Sequence, residues 1–277
     1  MKSKYLAFVK KIIYRLYNNL LSLKYLKILI SHTKFDSWKR LFSLTFTQQK
    51  WFVKDFENFV NQSNEHIVIR PIVEDKFQYS GILSGHYFYQ DIIVAQAIFS
   101  HNPDRHIDIG SRTDGFVAHV ASFRQIEVFD IRPNKTNIGN IKFVQRDFMD
   151  PNIMLDGYAD SVSSLHALEH FGLGRYGDHI DAEGFNKAFI NIYRLLKVGG
   201  MFYFSVPIGP SRVEFNAHRV FSVSRLLEII NPLYSILEFS YVDDNGDLFK
   251  NVELTDKSIN NNFGCTYGCG IWFLKKR

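Results

Sequence analysis

An α/β fold built on a mostly parallel sheet is what this sequence predicts, and three observations predict it. From about residue 86 onward, short β-branched or aromatic runs alternate with helical patterns, the rhythm of successive βαβ units. The segment Met-Phe-Tyr-Phe-Ser-Val-Pro at 201–207 is almost continuously apolar, as a parallel strand covered on both faces must be. Finally, 277 residues with 46% hydrophobic and 16% aromatic content supply one sizeable core, which excludes a disordered chain, a collagen-like repeat and a disulfide-stapled miniature.

The chain opens with a different composition. Residues 1–54 hold twelve Lys or Arg against Asp36 alone, a net of +11, whereas the remaining 21 basic and 27 acidic side chains give the body −6. The overall charge of +5 therefore describes an appendage, and a nucleic-acid-binding body is not implied. Within residues 5–30, Leu6, Val9, Ile13, Leu16, Leu20, Leu23 and Ile30 recur mostly at spacings of three and four, the stripe of an amphipathic helix, which Lys27 interrupts. Flanked by Lys10, Lys11, Arg15 and Lys24, such a helix can make peripheral contact with an anionic membrane face. It can equally pack on its own domain or on a partner, and periodicity alone does not choose.

Residues 31–63 read as further helix, and the polar stretch Asn61 to Glu65 marks the expected boundary between a helical extension, 1–63, and a main domain, 64–277. Lys24 and Lys27 follow the apolar stretch and no small-residue cleavage site closes it, so no signal peptide is expected. No apolar run approaches the ~18 residues that a span requires. Two cysteines suit a reducing compartment, and the expected location is cytoplasmic, with the inner membrane face as the place a peripheral helix would meet.

In the main domain a helix over Gln90–Phe99 leads in. Strands are predicted at His106–Gly110, Gln125–Asp130, Ile141–Arg146, Ala159–Leu165, Met201–Pro207, Ser235–Asp243 and Gly270–Lys275, with helices near 114–123, 184–197 and 222–230. The most informative segment is His106-Ile-Asp-Ile-Gly-Ser-Arg-Thr-Asp-Gly-Phe116, a strand that runs through a loop holding Gly110 and Gly115 into a helix. Ligands bind at such carboxyl ends, where a glycine lets the backbone approach closely and helix amides favour an anionic group. Phe116 stands where a phosphate-binding loop needs Lys-Ser/Thr, and the middle glycine of G-x-G-x-x-G is missing, which disfavours ATP and NAD.

The second strand ends at Asp130, twenty-two residues after Asp108, the distance at which an acidic side chain accepts hydrogen bonds from a ribose diol. Asp147 follows the third strand and can receive the exocyclic amine of an adenine lying against Phe148, while Asp108 or Asp114 can attract a ligand ammonium.

Asp108-Ile-Gly110, Asp130, Asp147, Leu168-Glu169-His170 and Leu196-Lys-Val-Gly-Gly200 resemble, in order and spacing, the successive motifs of class I S-adenosylmethionine-dependent methyltransferases. More narrowly, Ser84-Gly-His-Tyr-Phe88, Asp108-Ile-Gly-Ser-Arg112, Gly172-Leu-Gly-Arg-Tyr-Gly-Asp178 and Phe215-Asn-Ala-His-Arg219 are similar to a methyltransferase-like family of unknown function in bacteria and nematodes. The resemblance covers roughly residues 80–275. It implies a doubly wound, mostly parallel seven-stranded sheet with an antiparallel last strand. It also implies that S-adenosylmethionine lies over the first three strand ends, with Gly110 beside its amino-acid moiety, Asp130 on the ribose, and Asp147 with Phe148 at the adenine. Arg112 and Asp114 depart from the usual small residues. They can pair with the cofactor carboxylate and ammonium, or with each other.

Methyl transfer to oxygen needs a nucleophile aligned behind the methyl carbon and a base for its proton. Ser163-Ser-Leu-His-Ala-Leu-Glu-His170 brings two imidazoles and a carboxylate to the rim. His170 is the first candidate base, with Glu169 or Asp178 to orient it, and His218 is the second. The glycines of Gly172–Asp178 allow a lid carrying Arg175 and Tyr176. Asn216 and Arg219 come within reach after the fifth strand, and Arg175, Arg212 and Arg219 suggest an anionic small molecule or glycan intermediate as substrate. Cys265 and Cys269 have no second pair nearby in sequence, so no metal is expected. The activity expected is O-methylation of a sugar in surface glycan assembly. The alternative is a noncatalytic scaffold that keeps the fold and docks on a membrane or partner.

Overall fold

The computed structural model describes residues 46–277 except 71, 73, 136, 137 and 154. The stripe at residues 5–30 lies outside the described residues. Those that are described fall into two compact units divided between Ile82 and Leu83. In the first, helix α1 (Phe46–Val60) buries Phe56 with Ile69, and Lys76 lies 4.0 Å over the Trp51 ring while pairing with Asp55 at 2.7 Å. None of the described helices is long and apolar enough to cross a membrane.

The second unit is an α/β sheet domain. Its helices are α2 (His86–His101), α3 (Ala118–Ala121), α4 (Gly184–Leu195), α5 (Val223–Ile230) and α6 (Asp256–Asn260). Its strands are β1 (His106–Ile109), β2 (Ile126–Asp130), β3 (Ile141–Gln145), β4 (Ala159–Leu165), β5 (Leu196–Ile208), β6 (Arg212–Glu214), β7 (His218–Val220), β8 (Tyr234–Val242), β9 (Leu248–Phe249) and β10 (Gly268–Lys276). Eight of them form one sheet in the order β3-β2-β1-β4-β5-β10-β8-β9. Neighbours from β3 to β5 run parallel, and β10 is antiparallel to both β5 and β8. The seven-stranded sheet with an antiparallel last strand that the resemblance implies is therefore present, extended by β9, a two-residue edge strand.

Alternation along the strands divides the core between two faces. Ile107 and Ile109 of β1 pack in one cluster with Phe189, Ile192, Leu226 and Ile230 from α4 and α5. Ile126 and Val128 of β2 pack in the other with Val94, Ile98 and Val120 from α2 and α3. Side chains such as Phe189, Phe202 and Phe204 are fully covered, each contributing about 1.5–3 kcal/mol relative to exposure. Helix α2 stops where Asn102 takes a left-handed φ of 45° and donates its N–H to the Ile98 carbonyl, and Ser222 caps α5 by accepting from the Arg225 amide.

Several boundaries differ from the sequence reading. Helix α2 begins at His86, four residues early. The helix expected near 114–123 starts as a π turn over Thr113–Val117 before becoming α3. The β6–β7 hairpin was not anticipated because Arg-Val-Glu is exposed throughout and carries no apolar alternation. Strand order reverses beside β1, where β2 pairs on one side and β4 on the other, and the carboxyl ends of these strands part to leave a crevice.

Candidate functional site

That crevice is a cavity of about 470 Å³ whose wall includes Gly110 after β1, Asp130 at the end of β2, Asp147 and Phe148 after β3, and His166 after β4. Gly110 has a φ of +72°, and a Cβ there would stand 3.1 Å from that of Ala167, so both backbone angle and space call for glycine. The last residue of β2 keeps 11% of its side chain exposed, and both Asp130 oxygens accept from the Arg132 guanidinium, at 2.9 and 2.6 Å. Asp147 spends one oxygen on the Met149 amide at 2.8 Å, and Phe148 is buried against Phe129.

Asp108 does not line the cavity. Fully buried, it accepts from the Ser111 hydroxyl at 2.6 Å, the Ser111 amide at 3.0 Å and the Ser163 hydroxyl at 2.7 Å, which staples the loop after β1 to β4. Burial raises its pKa to about 7 against the pull of those hydrogen bonds. Ser163 in turn lies 3.1 Å from Nε2 of His106, whose pKa burial pushes down to about 3. Asp114 is also off the cavity. It holds Arg112 through two hydrogen bonds, at 3.1 and 2.9 Å, and both side chains are more than half exposed. Arg112 itself lines the cavity edge, 5.2 Å from the Tyr87 ring, and leaves the hollow open.

The candidate catalytic residues converge, with one change of partner. Glu169 turns to His166 and not to its sequence neighbour: its Oε1 lies 2.7 Å from His166 Nδ1 and 3.8 Å from His170 Nε2. His170 Nδ1 donates to the Ala217 carbonyl at 2.6 Å, which leaves Nε2 as the lone-pair nitrogen. Burial lowers its pKa, so the ring is neutral near pH 7. His166, with φ of 49°, is buried; desolvation opposes its charging, but the Cys269 sulfur and the Glu169 carboxylate outweigh that and raise it well above the ordinary imidazole value. Asp178 orients no histidine. It accepts the amides of Gly172, Gly174 and Tyr176 and ties its own loop down. His218 lines the cavity with Nε2 3.2 Å from Glu214.

Among the substrate candidates, Arg175 and Tyr176 line the cavity, and Asn216 and Arg219 do not. Asn216 is exposed on the β6–β7 turn. Arg219 is 8% exposed and donates to the carbonyls of Glu169, Phe171 and Ala182, clamping loops together. Arg212 is held by Glu214 and the Thr266 carbonyl.

Sequence reasoning missed Arg132, Arg146 and Tyr267, all of which line the wall, and the part that His166 plays there. His166 is the first imidazole of the Ser163–His170 segment, but nothing in the sequence discloses that its ring takes Glu169. Tyr267 arrives with β10, whose antiparallel entry delivers residue 267 to the carboxyl edge.

The family model described as "Caenorhabditis protein of unknown function, DUF268" matches residues 120–267. No curated protein sequence matches the chain. Among solved structures, the 1,6-didemethyltoxoflavin-N1-methyltransferase of Burkholderia thailandensis, bound to 1,6-didemethyltoxoflavin and S-adenosylhomocysteine, is 15% identical. Its TM-score is 0.49, over 68% of this chain and 78% of that one. The N-methyltransferase NodS from Bradyrhizobium japonicum, with S-adenosylhomocysteine, is 13% identical with a TM-score of 0.46, over 69% and 88%. The [4+2]-cyclase SpnF is 15% identical with a TM-score of 0.44, over 62% and 75%. These are likenesses of fold.

Proposed function

We propose, for a chain that belongs to the family described as Caenorhabditis protein of unknown function, DUF268, the activity of an S-adenosylmethionine-dependent methyltransferase. One observation carries the reading: Gly110, Asp130, Asp147 and Phe148, from the ends of three successive strands, share one cavity. That volume and donor set fit the cofactor: a glycine with room for close approach, a carboxylate for a ribose diol, and a carboxylate beside an aromatic ring for adenine. When bound, S-adenosylmethionine supplies an electrophilic methyl group on a sulfonium centre.

The chain's own residues supply alignment and a proton acceptor. His170 lines the cavity with its ring fixed by the bond from Nδ1 to the Ala217 carbonyl, and in this reading its Nε2 accepts the proton of an acceptor hydroxyl. The Glu169 carboxylate, 3.8 Å away, favours the imidazolium as it forms. Arg132, Arg146 and Arg175 give the wall a cationic arc that suits an anionic acceptor such as a phosphorylated or nucleotide-linked sugar. Within this reading, O-methylation serves surface glycan assembly, and residues 5–30 hold the enzyme peripherally at the inner membrane face.

A noncatalytic scaffold is the second reading, and the Arg132 fork that occupies both oxygens of Asp130 favours it. Calorimetric titration with S-adenosylmethionine, S-adenosylhomocysteine and NAD separates the two. Binding of both sulfur compounds and not NAD is expected; no binding of either at millimolar concentration removes the methyltransferase reading.

A further inference from the structure

We propose that His86, His166 and Cys269 form a binding site for a borderline-soft divalent metal ion, zinc first, beside the cavity that His166 lines. Three elements distant in sequence bring them together: His86 is the first residue of α2, His166 follows β4, and Cys269 is the second residue of β10. Their ligating atoms all lie within 4.8 Å of one another. In a tetrahedral zinc site such atoms stand about 3.4–3.6 Å apart, so a contraction of about 1 Å closes the set.

Two further observations point to a cation. His166 keeps only 4% of its side chain exposed, yet its Nε2 has no nitrogen or oxygen partner among the described residues and only the Cys269 sulfur beside it, while Nδ1 lies 2.7 Å from Glu169 Oε1. This is the arrangement of a metal-bound imidazole, which donates one ring N–H to a carboxylate and turns its other nitrogen to the ion. The second is Glu169 itself, whose Oε2 is buried and likewise without a hydrogen-bond partner. A dication behind His166 takes over the balancing of that buried carboxylate when the His166 proton leaves.

Two imidazoles and a thiolate select zinc or a similar ion over magnesium or calcium, which prefer oxygen. Three protein ligands leave a fourth position for water or a bound ligand, and His166 borders the cavity. The rings of His86 and His166 stack in parallel, 5.2 Å apart and 4° from coplanar, so metal uptake turns the half-buried His86 ring out of that stack. Cys269, buried and free, binds as the thiolate and His166 as the neutral imidazole through Nε2, so uptake releases a proton from each. The proposal does not depend on the methyltransferase reading, and its test uses no sulfonium compound.

Full-length protein stripped with a chelator is titrated with zinc against a chromophoric competitor, and separately with cobalt(II) followed by absorption. One zinc per chain at submicromolar Kd is expected, and cobalt(II) gives a thiolate-to-metal charge-transfer band with tetrahedral d–d intensity. C269S abolishes the charge-transfer band and weakens zinc at least tenfold. H86Q, a half-exposed position that leaves the core intact, weakens zinc about tenfold and provides the same test should C269S fail to fold. Absence of zinc uptake at micromolar concentration, or equal affinity in the folded variants, overturns the proposal and leaves the cluster as packing.

Discussion

Nδ1 of His166 stands 2.7 Å from Oε1 of Glu169, and the same oxygen lies 3.8 Å from Nε2 of His170. One buried carboxylate thus faces two imidazoles of different character, one raised and one lowered in pKa. The neutral ring is the one able to take a proton.

His170→Ala is therefore expected to cut methyl transfer by about 10²–10⁴-fold while leaving S-adenosylhomocysteine affinity within about twofold. Because burial lowers the His170 pKa below 6.5, turnover holds down to mildly acidic pH and falls as the imidazole charges. A kcat/KM profile checks this. An acid limb centred above pH 6.5, or full turnover in the variant, moves the base elsewhere.

Asp108 and His106 make opposite contributions to stability across the same pH range. Asp108 is raised to about 7, so its native carboxyl holds a proton that the unfolded chain has lost, and stability falls as pH climbs from about 4 to 7. His106 is lowered to about 3, so the unfolded chain holds the extra proton and stability rises from about pH 3 to 6.5. Asp108→Asn removes the first effect alone, and its denaturation midpoints should rise more steeply between pH 4 and 6.5 than those of the parent. Parallel curves would contradict the assignment.

Gly172 has a φ of +76°, and a Cβ there would run into the Asp181 carbonyl. Gly172→Ala is expected to cost about 2–4 kcal/mol, a fall in Tm of about 5–15 °C by thermal melting, whereas Gly177→Ala, with open space around it, costs about 1 kcal/mol. Equal melting of the two variants would show that the loop relaxes freely.

The parallel strands were legible because their apolar runs are bounded by turn residues, as in His106–Gly110, and Asp130 and Asp147 were legible as strand-end residues, which the structure places on the cavity wall. What the sequence could not disclose was competition among side chains. Asp108 has the right position for a ligand contact, but two serines take it. Arg219 looks like a surface cation and is buried among carbonyls. Cys269 has no histidine near it in sequence, and His86 and His166 come to it from α2 and the end of β4. Such choices are settled by packing across the sheet, not by local pattern.

For residues 5–30, replacing Leu16 and Leu20 by Glu in the full chain removes apolar positions from the stripe and adds negative charge. Flotation with anionic vesicles should fall several-fold in that variant. Equal flotation would reject membrane contact through this segment.

Asp130 lines the cavity proposed for the adenosine of S-adenosylmethionine. Calorimetric titration of S-adenosylhomocysteine into the parent and into Asp130→Ala tests this proposal most directly. The expected result is saturable one-to-one binding by the parent and a loss of about tenfold or more in the variant, in line with about 1.5–3 kcal/mol for hydrogen bonds to a charged group. Equal affinity in both proteins, or no heat of binding in either, would contradict it.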